Sequence, residues 1–127
     1  MKKKNTYWII AGILNFLTFV LHLTGGQLDL VDPMLDTSMS IEIKSQLVGA
    51  WNMVTLILIM TSIVLLLAGF RKRFDSNLDL IRFVGYLNMS FCFPFILAGF
   101  YYGLLVPQWI FFLPIGIFTF IGVKKNN

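Results

Sequence analysis

The chain has one cysteine, one histidine and four prolines in 127 residues. A single cysteine, Cys92, excludes an intramolecular disulfide and CxxC redox or metal chemistry. It lies within an apolar segment and reads as a small packing residue. A single histidine, His22, without a cysteine or membrane carboxylate beside it, makes a poor metal site. Charge is also scarce. Only 13% of residues are Asp, Glu, Lys or Arg, against about 25% in soluble domains. That is too little polar surface to clothe a globule in water, so the solvent must be lipid.

What the sequence does have is apolar length. It is 57% hydrophobic, with a mean hydropathy of +0.80. Residues 5–28, 45–70 and 83–123 carry no charge. A bilayer crossing takes about 20 residues. The first two windows are one crossing each, and the third is two, turning at Pro107. The pattern predicts an all-α, integral membrane four-helix bundle in one domain. Its helices fall near 6–24, 46–70, 79–104 and 108–123, with a loop over 25–45. Gly25-Gly26 is expected to end the first helix, Asp32-Pro33 to begin a turn, and Thr37–Ser40 to cap a short helix at 41–47, with Ser38 ahead of Ile41-Glu42. Lys2–Lys4 before an apolar run resembles a signal peptide. The run Tyr7–Leu23 exceeds the usual h-region and no A-x-A site follows, so it is expected to be retained.

The net charge of +4 does not point to nucleic acid, because the basic residues flank the apolar runs. Lys2, Lys3, Lys4, Arg71, Lys72, Arg73, Arg82, Lys124 and Lys125 all fall on one side of four crossings. The 25–45 loop holds Asp29, Asp32, Asp36 and Glu42 against Lys44 alone. The positive-inside rule puts both termini in the cytoplasm and that loop outside, in a cell membrane. Tyr7, Trp8 and Tyr86 fall at the inner boundaries, and Trp51, Tyr101, Tyr102 and Trp109 at the outer ones, where amphipathic rings prefer the headgroup level.

Polar residues within the helices form stripes. Asn15, Thr18 and His22 share a face of the first helix, and Asn52, Thr55 and Ser62 one of the second. Gly85, Asn88 and Cys92 share a face of the third, with Gly99 further along. Such faces are expected to turn inward. One reading makes them hydrogen-bonded ties between helices, with His22 a satisfied helix-end histidine. The other makes a polar pocket, with His22 available for proton transfer. His22, Asn52, Gln108, Gln46 and Tyr102 all converge on the outer mouth and are the candidate ligand-binding residues. At least two of His22, Asn52 and Gln108 are expected inside that mouth, beneath the loop. Gly99 and Gly103 fit a small-xxx-small contact, within the bundle or between two copies. Pro94 and Pro114 are expected to kink their helices.

Several activities are excluded. No Asp, Glu, Lys or Arg lies in a helix core, unlike small multidrug exporters with their buried glutamate or signal peptidase II-like proteases with two membrane aspartates. Vitamin K epoxide reductase-like bundles need cysteine pairs. No nucleophile–base pair and no phosphate-binding glycine loop is present, and no cofactor is expected.

Leu21-His22-Leu23 with Gly25-Gly26, Pro33-Met34-Leu35, Trp51-Asn52-Met53-Val54-Thr55 and Pro107–Pro114 together resemble a family of small, uncharacterised four-helix bacterial inner-membrane proteins. The resemblance spans nearly the whole chain and implies the same topology and location. That family often has a histidine after the helix-2 tryptophan. Here Asn52 stands there, so a paired-histidine site does not carry over. The family brings no assigned activity. The leading expectation is a non-enzymatic protein that binds a small apolar or lipid-like ligand, or a membrane partner, at its outer mouth. The alternative is a small transporter component or a membrane enzyme using His22.

Overall fold

The computed structural model describes residues 4–70 and 77–126. Lys2, Lys3, Arg71, Lys72 and Arg73, on which part of the orientation reading rests, lie outside the described residues. Among the described residues the fold is all-α. Four helices are long and apolar enough to cross a membrane: α1 (Thr6–Leu35), α2 (Ile41–Phe70), α3 (Leu78–Tyr102) and α4 (Trp109–Asn126).

Local chemistry sets most helix ends. Asn5 Oδ1 accepts the Trp8 N–H at 3.3 Å and opens α1. Asn77 Oδ1 does the same for Leu80 of α3 at 3.4 Å. Ser40, not Ser38, accepts the Ile43 N–H at 3.4 Å and opens α2. α3 closes on Gly103 at φ 64, with the Gly103 N–H directed to the Gly99 carbonyl. Only glycine takes that left-handed turn without strain. Leu104 N–H then returns to the same carbonyl at 3.1 Å. Gly99 and Gly103 therefore form a helix cap within the chain. Pro94 and Pro114 lie inside continuous helices.

The first helix differs from expectation. It runs through Gly25-Gly26 and Asp32-Pro33 and ends at Leu35, so the connection to α2 shrinks to residues 36–40. It is α-helical over Thr6–Leu21, π-helical over His22–Val31 and α-helical again over Asp32–Leu35. Pro33 fits because it sits in the first turn of that last segment, where a missing N–H costs little. The glycines are tolerated because one of them is a packing surface, as described below. At 1.5 Å per residue the 30 residues of α2 span about 45 Å, and α1, shortened a little by its π-helical stretch, is of similar length. That exceeds a hydrocarbon core of about 30 Å. The surplus turns carry Asp29, Asp32, Glu42 and Lys44, with Asp36 in the connection between them, which suits a head standing clear of the apolar layer.

α1 is the hub. It packs along both α2 and α4, and α3 packs along α4, whereas α2 and α3 touch only lightly. Near Asn5, one apolar cluster joins Trp8, Ala11, Leu65, Ile81, Val84 and Ile115 across all four helices. A smaller cluster of Leu58, Cys92 and Phe112 lies toward the Trp51 end. The polar stripes turn inward largely as expected: Asn15, Thr18, Thr55, Ser62, Gly85, Asn88 and Cys92 are all buried.

Trp8 does not present its ring to the surroundings, as a headgroup-level residue would. It is 0% exposed, and its indole Nε1 donates to the Thr119 carbonyl at 3.2 Å. Gly122 makes this possible: a Cβ there would collide with the indole Cδ1 and Nε1. A ring whose one polar group is satisfied by backbone gains more from burial than from the interface. Asn5 locks the same end. Its Nδ2 donates to the Gly122 carbonyl at 2.8 Å and its backbone N–H to the Gly69 carbonyl at 3.1 Å. One asparagine thus ties α1 to α4 and α2.

Candidate functional site

The five candidate residues all lie toward the end of the bundle away from Asn5, but they do not assemble into one pocket. His22 is half-buried and faces α2. Its ring stacks on Trp51, with centroids 3.7 Å apart and planes 16° from parallel. Its Nε2 lies 3.3 Å from the Trp51 carbonyl oxygen. Gly26, one turn further along, completes the seat. A Cβ at Gly26 would stand 2.5 Å from Trp51 Cη2. The indole of Trp51 therefore fits only because position 26 has no side chain.

Asn52 does not join this group. It is exposed, and its Nδ2 donates back to the Val48 carbonyl at 2.8 Å. Such a bond occupies one N–H of the carboxamide on its own helix, and the exposed position leaves its other polar groups to the surroundings. Gln46 is exposed as well. Tyr102 is 70% exposed and makes an edge-to-face pair with Tyr101 at 4.8 Å. Gln108 is half-buried, with Oε1 enclosed and without a hydrogen-bond partner. No hydrogen bond links any two of the five among the described residues.

The loop does not lid a mouth either, because most of it is helix. Its remaining contacts are local. Lys44 Nζ donates to the Leu35 carbonyl at 2.5 Å, and Gln27 Nε2 to Asp32 Oδ1 at 2.8 Å. Among the described residues, no group of three His, Cys, Asp or Glu side chains comes close enough to hold a metal ion.

A recess does open nearby, where α3 ends and α4 begins. It has a volume of about 400 Å³, and Phe95, Gly99, Phe100, Leu105, Val106 and Trp109 are among its lining residues. No lining residue is charged or carries a polar side chain other than the indole of Trp109. A shallower depression beside it involves Phe100, Tyr101 and Tyr102, so Tyr102 borders this region. Gln108 lies in sequence between two lining residues. The residues missed by the sequence reading are Phe95, Phe100, Leu105 and Val106. In a chain this apolar they carry no signal that distinguishes them from lipid-facing neighbours. The turn at Pro107 was the one clue to their place.

The chain matches no protein-family model, no curated protein and no solved structure.

Proposed function

We propose that this multi-pass membrane protein is non-catalytic and binds a lipid-like molecule through the recess between α3 and α4. The observation that carries this reading is the recess itself: about 400 Å³, apolar, and set at one end of helices whose outer surfaces are apolar. Its volume falls within the ordinary range of ligand sites, about 300–1,000 Å³. Its lining lacks convergent charges or hydrogen-bonding groups, which suits an acyl chain and not a polar solute. The charge pattern supports an orientation with both termini cytoplasmic, which would put the recess in the outer leaflet; a bacterial inner membrane rests on the family resemblance alone. A transporter component or an enzyme built on His22 has less support, since that ring is stacked on Trp51 and its Nε2 faces a backbone carbonyl.

Native mass spectrometry from lipid nanodiscs tests the proposal. The wild-type chain should retain one lipid-like molecule after most bilayer lipid is stripped. Leu105→Asn together with Val106→Asn should lower that retention several-fold while leaving the helical content unchanged. Equal retention by both proteins would sink the reading. Chemical conversion of the retained molecule would replace it with the enzyme reading, and a bound second protein with an accessory role.

A further inference from the structure

Between the two apolar clusters lies a layer of buried polar side chains from three helices. Asn15 of α1 is 0% exposed, and its Nδ2 donates to Thr61 Oγ1 of α2 at 2.7 Å. Thr61 and Ser62 stand one turn from Leu58, toward the Asn5 end. Leu58 shares a cluster with Cys92 of α3, and Asn88 stands one turn from Cys92 in the same direction. The four residues Asn15, Thr61, Ser62 and Asn88 therefore occupy one level of the bundle. Asn88 is 1% exposed, and its Nδ2 donates to the Val84 carbonyl at 2.9 Å.

The hydroxyl donors of this layer are spent, each carboxamide NH₂ uses one of its two N–H groups, and the carboxamide oxygens are unmet. Thr61 Oγ1 donates to the Ile57 carbonyl at 2.7 Å and Ser62 Oγ to the Leu58 carbonyl at 2.7 Å. Neither hydroxyl has a second proton to offer. The carbonyl oxygens of both asparagines, Asn15 Oδ1 and Asn88 Oδ1, are enclosed and accept nothing from the protein. Leaving such an oxygen bare in a core carries its full desolvation penalty. The layer thus presents two strong acceptors that no protein donor meets, beside two carboxamide N–H groups not used within the protein.

We infer that this layer is a buried hydration site, in which water donates to Asn15 Oδ1 and Asn88 Oδ1. Water brings two donors and needs about two to four polar partners. The free lone pairs of Ser62 Oγ add a third. An alkali cation is the competing occupant and fits less well. The layer has no carboxylate to balance its charge, and an unpaired ion in a low-dielectric core is far more costly than a neutral molecule. Bound water would join α1, α2 and α3 where α2 and α3 have little direct contact.

The sign of one substitution separates hydrated from bare oxygens. If Asn88 Oδ1 were bare, Asn88→Leu would remove a penalty and raise the thermal midpoint in detergent. Under hydration it expels the water and strips Asn15 Oδ1 of its donor, so the midpoint falls by several degrees. Asn15→Leu/Asn88→Leu should then lose less than the two single variants added together. A fall caused by poor packing alone is distinguished by NMR of the wild-type chain in micelles. Water cross-peaks should appear at the side-chain NH₂ groups of Asn15 and Asn88, unchanged when sodium is exchanged for choline. A raised midpoint, or an absence of those cross-peaks, overturns the inference. So does stabilisation that requires sodium, which would make the occupant a cation.

Discussion

The imidazole of His22 lies flat on the indole of Trp51, 3.7 Å between ring centroids, and the indole in turn covers Gly26. This stack joins the extended part of α1 to α2 and holds the two helices together beyond the main core. It also accounts for the fate of His22. The ring that looked like the chain's best chemical group is committed to packing, with its Nε2 opposite the Trp51 carbonyl. Its partner has one unmet need, since the enclosed Trp51 Nε1 has no acceptor.

The two adjacent glycines should therefore respond in opposite ways to the same change. A Cβ at Gly26 would meet Trp51 ring carbons at 2.5 and 2.6 Å, forcing the indole off its seat. Overpacking of this kind costs about 1–3 kcal/mol. At Gly25 a Cβ would meet nothing within 4 Å, and alanine lowers the entropy lost on forming helix by roughly 0.5–1 kcal/mol. Gly26→Ala should lower the thermal unfolding midpoint in detergent, and Gly25→Ala should leave it unchanged or raise it. Equal losses at both positions would mean that the glycines act through helix winding and not through the tryptophan.

At the opposite end, Asn5 carries more than its position suggests. Asn5→Ala removes the N-cap of α1, worth about 1 kcal/mol, and the bond to the Gly122 carbonyl, worth about 1 kcal/mol more. The expected loss is about 2 kcal/mol. Asn5→Asp keeps the cap acceptor but replaces the donor with an oxygen facing that carbonyl, so it should recover little. Chemical unfolding in mixed micelles measures both. A loss of under about 0.5 kcal/mol for Asn5→Ala would show that the three helices close without it.

The membrane character and the four helices were legible because charge is the strongest signal in lipid, and the uncharged windows state it directly. The boundary of α1 was not legible. Gly25-Gly26 and Asp32-Pro33 are local breakers, and only the ring of Trp51, distant in sequence, shows why helix continues past Gly26. The inward stripe of Gly85, Asn88 and Cys92 could be read from spacing alone. Asn52 could not, because spacing gives a residue's face but not which faces of α2 the neighbouring helices cover, and α2 has little contact with α3. Trp8 misled for a related reason. The slot that accepts it is cut by Gly122, on another helix and far along the chain.

Orientation in the membrane is the remaining expectation with a direct test. Among the described basic residues, Lys4, Arg82, Lys124 and Lys125 lie toward the Asn5 end of the bundle, and Lys44 alone lies on the head opposite, beside Asp29, Asp32, Asp36 and Glu42. Moving cationic flanks across a bilayer is disfavoured, so the Asn5 end is expected in the cytoplasm. Ser38 and Asn126 report the two ends, since both are exposed. The native thiol will not interfere once Cys92→Ala is made, and it is buried in any case. In that background, Ser38→Cys should react with a membrane-impermeant maleimide added to intact cells. Asn126→Cys should react only after the membrane is opened. The reverse pattern would invert the molecule and move the α3–α4 recess to the inner leaflet. Labelling of both sites in intact cells would point to a mixed orientation, a result that so one-sided a charge distribution argues against.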